Sequence, residues 1–227
     1  MLTLNLVKSL FPSTLNNKQI ALKMAEETLN LEQHVKYWQR CLKSLLPTQY
    51  TSTDSNRMTL GFFILSAHDL LSITIPSSQR INIRNWILHC QHPSGGFCAS
   101  PNHKYPDGYY VNGEQMDPAN LPATFFAILS LGYVGDLEGA KRKECLRWLQ
   151  KLQREDGSFG ELVTQEGEIE GGRDMRLSYV ATAVRWMLRG DEVEEGDEED
   201  INVEALVDFL RAGQVCVVLG SYAKDLG

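Results

Sequence analysis

Residues 86–97 read WILHCQHPSGGF and residues 148–159 read WLQKLQREDGSF. Trp, Gln, Gly and Phe stand at the same offsets in both, so Trp86 and Trp148, Gln91 and Gln153, Gly95 and Gly157, and Phe97 and Phe159 are each 62 residues apart. Self-similarity at a fixed period is the signature of a stacked repeat. Each residue type has a local reason: the Trp anchors a helix, the Gly ends it in the left-handed conformation that other residues resist, and the Phe packs back on the core. A third copy begins in FLRAGQ, where Phe209 and Gln214 keep the five-residue spacing, and then gives way to VCVVLGSYAKDLG.

Around these turns strand signals are scarce and the helical period is strong, which makes the class all-α. The helices are of two sorts. Ile83, Trp86, Ile87 and Cys90 lie on one face, as do Cys145, Trp148, Leu149 and Leu152, and then Val203, Leu206, Val207 and Leu210. These are amphipathic, with one buried face each. RMTLGFFILSAHDLL, LPATFFAILSLGYV and MRLSYVATAVRWML are apolar almost all round and are expected to be surrounded by protein. The two sorts alternate along the chain, which predicts helix pairs with one partner inside and one outside, stacked side by side.

The length of 227 residues suffices for a sizeable core, and 43% hydrophobic with 22% charged residues is ordinary for a soluble globular protein. A net charge of −7 without any basic stripe argues against nucleic-acid binding. The five cysteines are dispersed and form no CxxC pair, so they read as reduced thiols of a cytoplasmic protein. The longest apolar stretch, Leu121 to Val134, is too short to span a bilayer, so no transmembrane segment is expected. Residues 1–30 are expected to be a leader of uncertain structure, 31–214 the repeats, and 215–227 a divergent tail outside the original reading frame. A stack broken off in mid-unit without a polar cap is expected to be truncated.

HVKYWQRCLKSLLPTQY, NRMTLGFFILSAHDLL, the two Gly-x-Phe turns, LPATFFAILSLGYVGD and RDMRLSYVATAVRWML occur in that order between His34 and Gln214. They resemble the protein prenyltransferase β subunits, most closely the geranylgeranyl type I branch. The resemblance implies an α-α toroid, a double ring of alternating inner and outer helices, here an incomplete ring. It also discriminates between branches. Where the farnesyl branch has a Trp that limits the depth of the isoprenoid cavity, this chain has Thr59, leaving space for a lipid longer by one isoprene unit. Phe63 follows one helical turn later on the same face. The alternative for Thr59 is a helix-interior threonine satisfied by its own backbone.

Further site residues come from the same resemblance. Arg176, in the DMR sequence, is placed at the lipid and the carboxy-terminal region of the peptide substrate. Its alternative is a structural ion pair with Glu170, another carboxylate, or Asp174, though two residues apart is poor geometry within a helix. Tyr179 shares the face of Arg176 and is placed against the isoprenoid, or else packs in the core. Phe125 stands where relatives often have Tyr, so it is assigned lipid packing only. His89, Cys90, His92 and Cys98 have zinc-ligand chemistry, but neighbouring helix positions point apart and no family ligand falls there. The acidic run GDEVEEGDEED reads as a solvated loop.

The reaction implied is transfer of a geranylgeranyl group from its diphosphate to the cysteine of a carboxy-terminal CaaX sequence, on substrates such as small GTPases. Zn2+ and a helical α subunit, as the partner in a heterodimer, are implied with it. The Asp-x-Cys and later His that hold zinc in relatives have no counterpart in these 227 residues, so no catalytic or metal residue is assigned to this chain, and it is expected to be inactive alone. The alternatives are a farnesyl or Rab-specific β subunit, and a noncatalytic helical-repeat binding module.

Overall fold

The structure is a computed structural model and describes residues 30–44, 48–102, 110–111, 114–115, 117–189 and 200–224. The chain divides into two compact units, Met1–Tyr37 and Trp38–Gly227. Helix α1 (Leu31–Lys43) supplies the described part of the first unit and continues into the second. Its charge placement suits the helix dipole, with Glu32 in the first turn and Arg40 and Lys43 in the last.

In the second unit a 3-10 helix (Thr48–Asn56) leads into α2 (Arg57–Leu70), followed by α3 (Ser77–His89), α4 (Leu121–Val134), α5 (Arg142–Lys151), α6 (Met175–Arg189) and α7 (Val203–Lys224). The apolar helices α2, α4 and α6 pack side by side in one row. The amphipathic α3 leans on α4, and α5 leans on α6. The alternation read from the sequence is therefore the observed order of layers. The core lies between the rows and includes Met58, Leu65, Ile87, Phe97, Leu121, Ile128, Leu131, Trp148, Leu149, Phe159 and Val184.

The two turns repeat the same glutamine bonds. Gln91 and Gln153 send their side-chain N–H groups to the carbonyls of Gly95 (3.2 Å) and Gly157 (3.5 Å). Their amide oxygens accept the N–H groups of Lys141 (3.1 Å) and Asn202 (2.7 Å), at the starts of α5 and α7. One glutamine thus closes its own turn and satisfies an orphan donor of the next outer helix. Gly95 (φ 120°) and Gly157 (φ 83°) do adopt the left-handed region. They do not end the helices, however, which stop five residues earlier at Cys90 and Leu152. Their second reason is space: a methyl group on Gly95 would overlap the Glu144 carbonyl, and one on Gly157 the Ala205 carbonyl. Each turn is the seat of the following outer helix. Trp148 rests its ring on Gly96, where a methyl would meet it at 2.8 Å.

α4 is delimited by local chemistry. The Asn120 side chain accepts the Ala123 N–H at 2.8 Å, and Gly135 (φ 78°) supplies the left-handed residue at the other end. Among the described residues, four two-residue strands form antiparallel hairpins that the helical pattern did not announce: β1 (Tyr110–Val111) with β2 (Glu114–Gln115), and β3 (Leu162–Val163) with β4 (Ile169–Glu170). Where the third Gly turn is missing, α7 runs on through Gln214 to Lys224. The expectation that the inner helices are surrounded by protein is not met. Leu60, Phe63, Leu70, Tyr133, Tyr179 and Trp186 are exposed. Among the described residues, the inner row is closed on the sides that meet neighbouring helices.

Candidate functional site

The open face of the inner row is aromatic and continuous. Phe62 of α2 lies 6.0 Å from Tyr133 and 5.0 Å from Phe126 of α4, centroid to centroid, and Phe63 lies 5.9 Å from Phe126. Phe125 meets Phe126 at 5.2 Å and Tyr179 of α6 edge-on at 6.3 Å. These are the separations at which aromatic pairs attract beyond simple burial. Phe63 (52%) and Tyr179 (68%) remain more than half exposed, so the run is a surface and not a filled core. The wall crosses three helices because residues on the same side of α2, α4 and α6 are presented together by side-by-side packing.

Phe63, Phe125 and Tyr179 are thus brought together. Thr59 is not part of the ring contacts. It opens on a cleft of about 270 Å3 at the amino-terminal ends of α2 and α4, lined also by Ser55, Asn56, Asp117, Asn120 and Glu161. Arg176 is 88% exposed in its side chain and is held by Asp174 through Nε (2.8 Å) and Nη2 (2.5 Å). The pairing judged poor for two positions within a helix is made because Asp174 precedes α6. Its other oxygen accepts the Arg176 backbone N–H at 2.8 Å, as a helix-capping carboxylate does. The Arg176 guanidinium holds the Asp174 carboxyl below its ordinary range, and Asp174 raises the guanidinium in turn. Arg176 is neither buried nor strained. It presents its remaining N–H groups on the helix that carries Tyr179.

Phe62, Phe126, Tyr133 and Trp186 were not singled out from the sequence. The signal for the first two was present, since the doublets Phe62–Phe63 and Phe125–Phe126 recur 63 residues apart, almost on the repeat period. Trp186 (67% exposed) lies two helical turns beyond Tyr179 and so shares its side of α6. The leader to residue 29 and residues 190–199 of the acidic run lie outside the described residues. The last residue of that run, Asp200, grips Arg185 through two bonds of 2.7 and 2.5 Å. Among the described residues no group of three or more His, Cys, Asp or Glu is placed to hold a metal ion. No described helix is long and apolar enough to cross a membrane.

A family model described as the prenyltransferase alpha-alpha toroid domain matches residues 29–217. The geranylgeranyl transferase type-1 subunit beta of Dictyostelium discoideum is 27% identical over 212 residues, covering 81% of this chain and 54% of the relative. The Arabidopsis thaliana protein of the same name is 29% identical over 170 residues, covering 69% and 43%. A farnesyltransferase subunit beta from Pyricularia oryzae is 23% identical over 163 residues, covering 70% and 28%. The chain therefore spans about half the length, or less, of the curated relatives it matches. Among solved structures, Candida albicans protein geranylgeranyltransferase-I complexed with GGPP superposes with a TM-score of 0.63 at 23% identity, over 81% of this chain and 51% of that one, which establishes the shared fold. With alternating helix rows, seated glycine turns and a domain match over most of its length, the chain belongs to the prenyltransferase α-α toroid family.

Proposed function

We propose that this chain forms part of the β subunit of a protein geranylgeranyltransferase type I, and that the aromatic run on its inner helices is one wall of the isoprenoid cavity. The observation that carries this reading is the continuity of Phe63, Phe126, Phe125 and Tyr179 across three helices, with Phe63 and Tyr179 left open. A polyisoprenoid tail offers only apolar surface, and each Å2 of it removed from water contributes about 25 cal/mol. A surface of rings is suited to that and to little polar chemistry. The relatives named as geranylgeranyl transferase subunits support the assignment, and those named as farnesyltransferase subunits support the nearest alternative.

Within that reading Thr59 leaves depth for the longer lipid, and Arg176, oriented by Asp174, meets the peptide and lipid ends with charge-assisted hydrogen bonds. The α subunit is the partner, CaaX proteins such as small GTPases are the acceptors, and the cytoplasm is the compartment. When bound, zinc would lower the pKa of the substrate thiol. The described residues do not fit it, so no step is assigned to zinc in this chain, which supplies lipid and peptide wall.

The test is equilibrium binding of geranylgeranyl and farnesyl diphosphate to the chain co-expressed with an α subunit, with and without Thr59→Trp. The wild type should prefer the geranylgeranyl lipid by at least about tenfold, as several extra buried carbons require, and the variant should erase the preference. A farnesyl preference in the wild type, or a ratio unmoved by Thr59→Trp, would reject the geranylgeranyl assignment.

A further inference from the structure

We propose that Cys90 and Cys98 form a dithiol site that hydrogen peroxide closes into a reversible disulfide across the first glycine turn. Gln91 and Phe97 face each other in an antiparallel bridge, so the next pair outward, Cys90 and Cys98, also stand opposite. The Cys98 N–H donates to the Cys90 carbonyl at 2.9 Å. The Cys90 N–H turns back to the Ile87 carbonyl, so this is one bond and not a mutual pair. By backbone dimensions that single bond leaves the two Cα atoms no more than about 6.8 Å apart, within the roughly 4.4–6.8 Å that a disulfide spans. The Cys98 sulfur lies 3.3 Å from the Cys90 carbonyl oxygen, folded back over its partner's backbone. The neighbouring Cys90 thiol holds Cys98 below the ordinary thiol range, and the Cys98 sulfur together with burial pushes Cys90 above it.

The second turn shows that the fold does not require these thiols. The equivalent residues there are Leu152 and Gly160, joined by the same bond from the Gly160 N–H to the Leu152 carbonyl at 2.9 Å. Turn closure is therefore common to both units, and the sulfur pair is particular to the first. Both cysteines are buried, which restricts the oxidant to one little larger than water. The Cys98 sulfur, as thiolate, attacks one peroxide oxygen. The O–O bond breaks, hydroxide leaves and takes up the Cys98 proton as water, and a sulfenic acid forms. The Cys90 sulfur then attacks the Cys98 sulfur, and the expelled hydroxide leaves as a second water with the Cys90 proton. Two thiols are oxidised, and one peroxide is reduced to two waters. The closed ring encloses the turn whose Gly95 seats α5, so oxidation locks that seat without touching the aromatic wall.

The site is tested on the full chain, treated with hydrogen peroxide, then denatured in an alkylating reagent, digested with trypsin and weighed. Both cysteines fall in one tryptic peptide, residues 85–104, so the disulfide appears as a loss of two hydrogens and of both alkyl groups. That species should form in the oxidised protein, revert with dithiothreitol, and be absent from Cys90→Ser and Cys98→Ser, while the equally buried Cys145 stays alkylatable. Cys90 and Cys98 alkylated to the same extent as Cys145 after oxidation would overturn the proposal. So would Cys98 driven to sulfinic acid with no internal crosslink. Should either serine variant fail to fold, the mapping of the wild-type chain decides alone.

Discussion

The two glycine turns and the open face of the inner helices are built on opposite rules. In the turns, Gln91 and Gln153, Gly95 and Gly157, and Phe97 and Phe159 occupy equivalent positions and make equivalent bonds. On the open face the helices differ from one to the next, apart from the phenylalanine doublets of α2 and α4. α2 presents Leu60 and Phe63, α4 presents Phe125, Phe126 and Tyr133, and α6 presents Arg176, Tyr179 and Trp186. Repetition marks what every unit needs in order to stack on the next. Departure from it marks the surface that no neighbouring unit covers, which is where a ligand can be read.

The largest effect that could break this contrast lies in the turns. Gly95→Ala and Gly157→Ala put a methyl group into the carbonyl of the next outer helix at a left-handed backbone angle. Each should cost about 4 kcal/mol, combining backbone strain with steric overlap. In thermal melts that is a fall of roughly 10 °C or more. Gly135→Ala shares the left-handed angle (φ 78°) but meets nothing within 4 Å, and should cost about 1 kcal/mol. If the three substitutions cost the same, backbone angle alone matters and the turns are not seats.

A smaller effect separates the two turns from each other. In the first, His92 receives the Ser94 N–H on Nδ1 at 3.0 Å, and burial lowers its pKa from 6.5 to about 4. In the second, Asp156 receives the Ser158 hydroxyl and N–H, with Arg173 beside it, and is held at about 2 against 3.8. The unfolded chain protonates His92 first as the pH falls, so the stability it contributes is full above 6.5 and lost between 6.5 and 4. The loss is on the order of 3 kcal/mol. The Asp156 contribution is full above 3.8 and lost as the pH falls towards 2. Hydrogen exchange should therefore find residues 91–97 loosening before residues 153–159 on acidification, and His92→Asn should remove that lead. Simultaneous loosening of the two turns would contradict the assignment.

The buried seam was legible because a helix face with fixed spacing can be counted: Cys145, Trp148 and Leu149 are all buried as their pattern requires. The turns were legible as types, but not the reason for their glycines, since the Glu144 and Ala205 carbonyls that fill the space come from the following unit. The open face was misread in its burial. An all-apolar helix looks the same in sequence whether its last side meets protein or a cavity. Asp174 was misjudged because helical spacing was applied to a residue that stands before the helix. Phe63, Phe125 and Tyr179 were named and do meet along one wall. The polar cleft beside Thr59 depends on Asp117 and Glu161, which no local pattern ties to it.

The smallest expected change in stability belongs to the substitutions that decide the central claim. Phe63→Ser with Tyr179→Ser removes two exposed ring systems at the ends of the wall, so the melting temperature should move by only a degree or two, as for surface changes of about 0.5 kcal/mol. The measurement is the affinity of this double variant for geranylgeranyl diphosphate against that of the wild type, in complex with the α subunit. A loss of about a hundredfold at unchanged stability is predicted, the equivalent of roughly 2.7 kcal/mol of apolar contact. Equal affinities for the two proteins would show that the aromatic face is not the lipid wall.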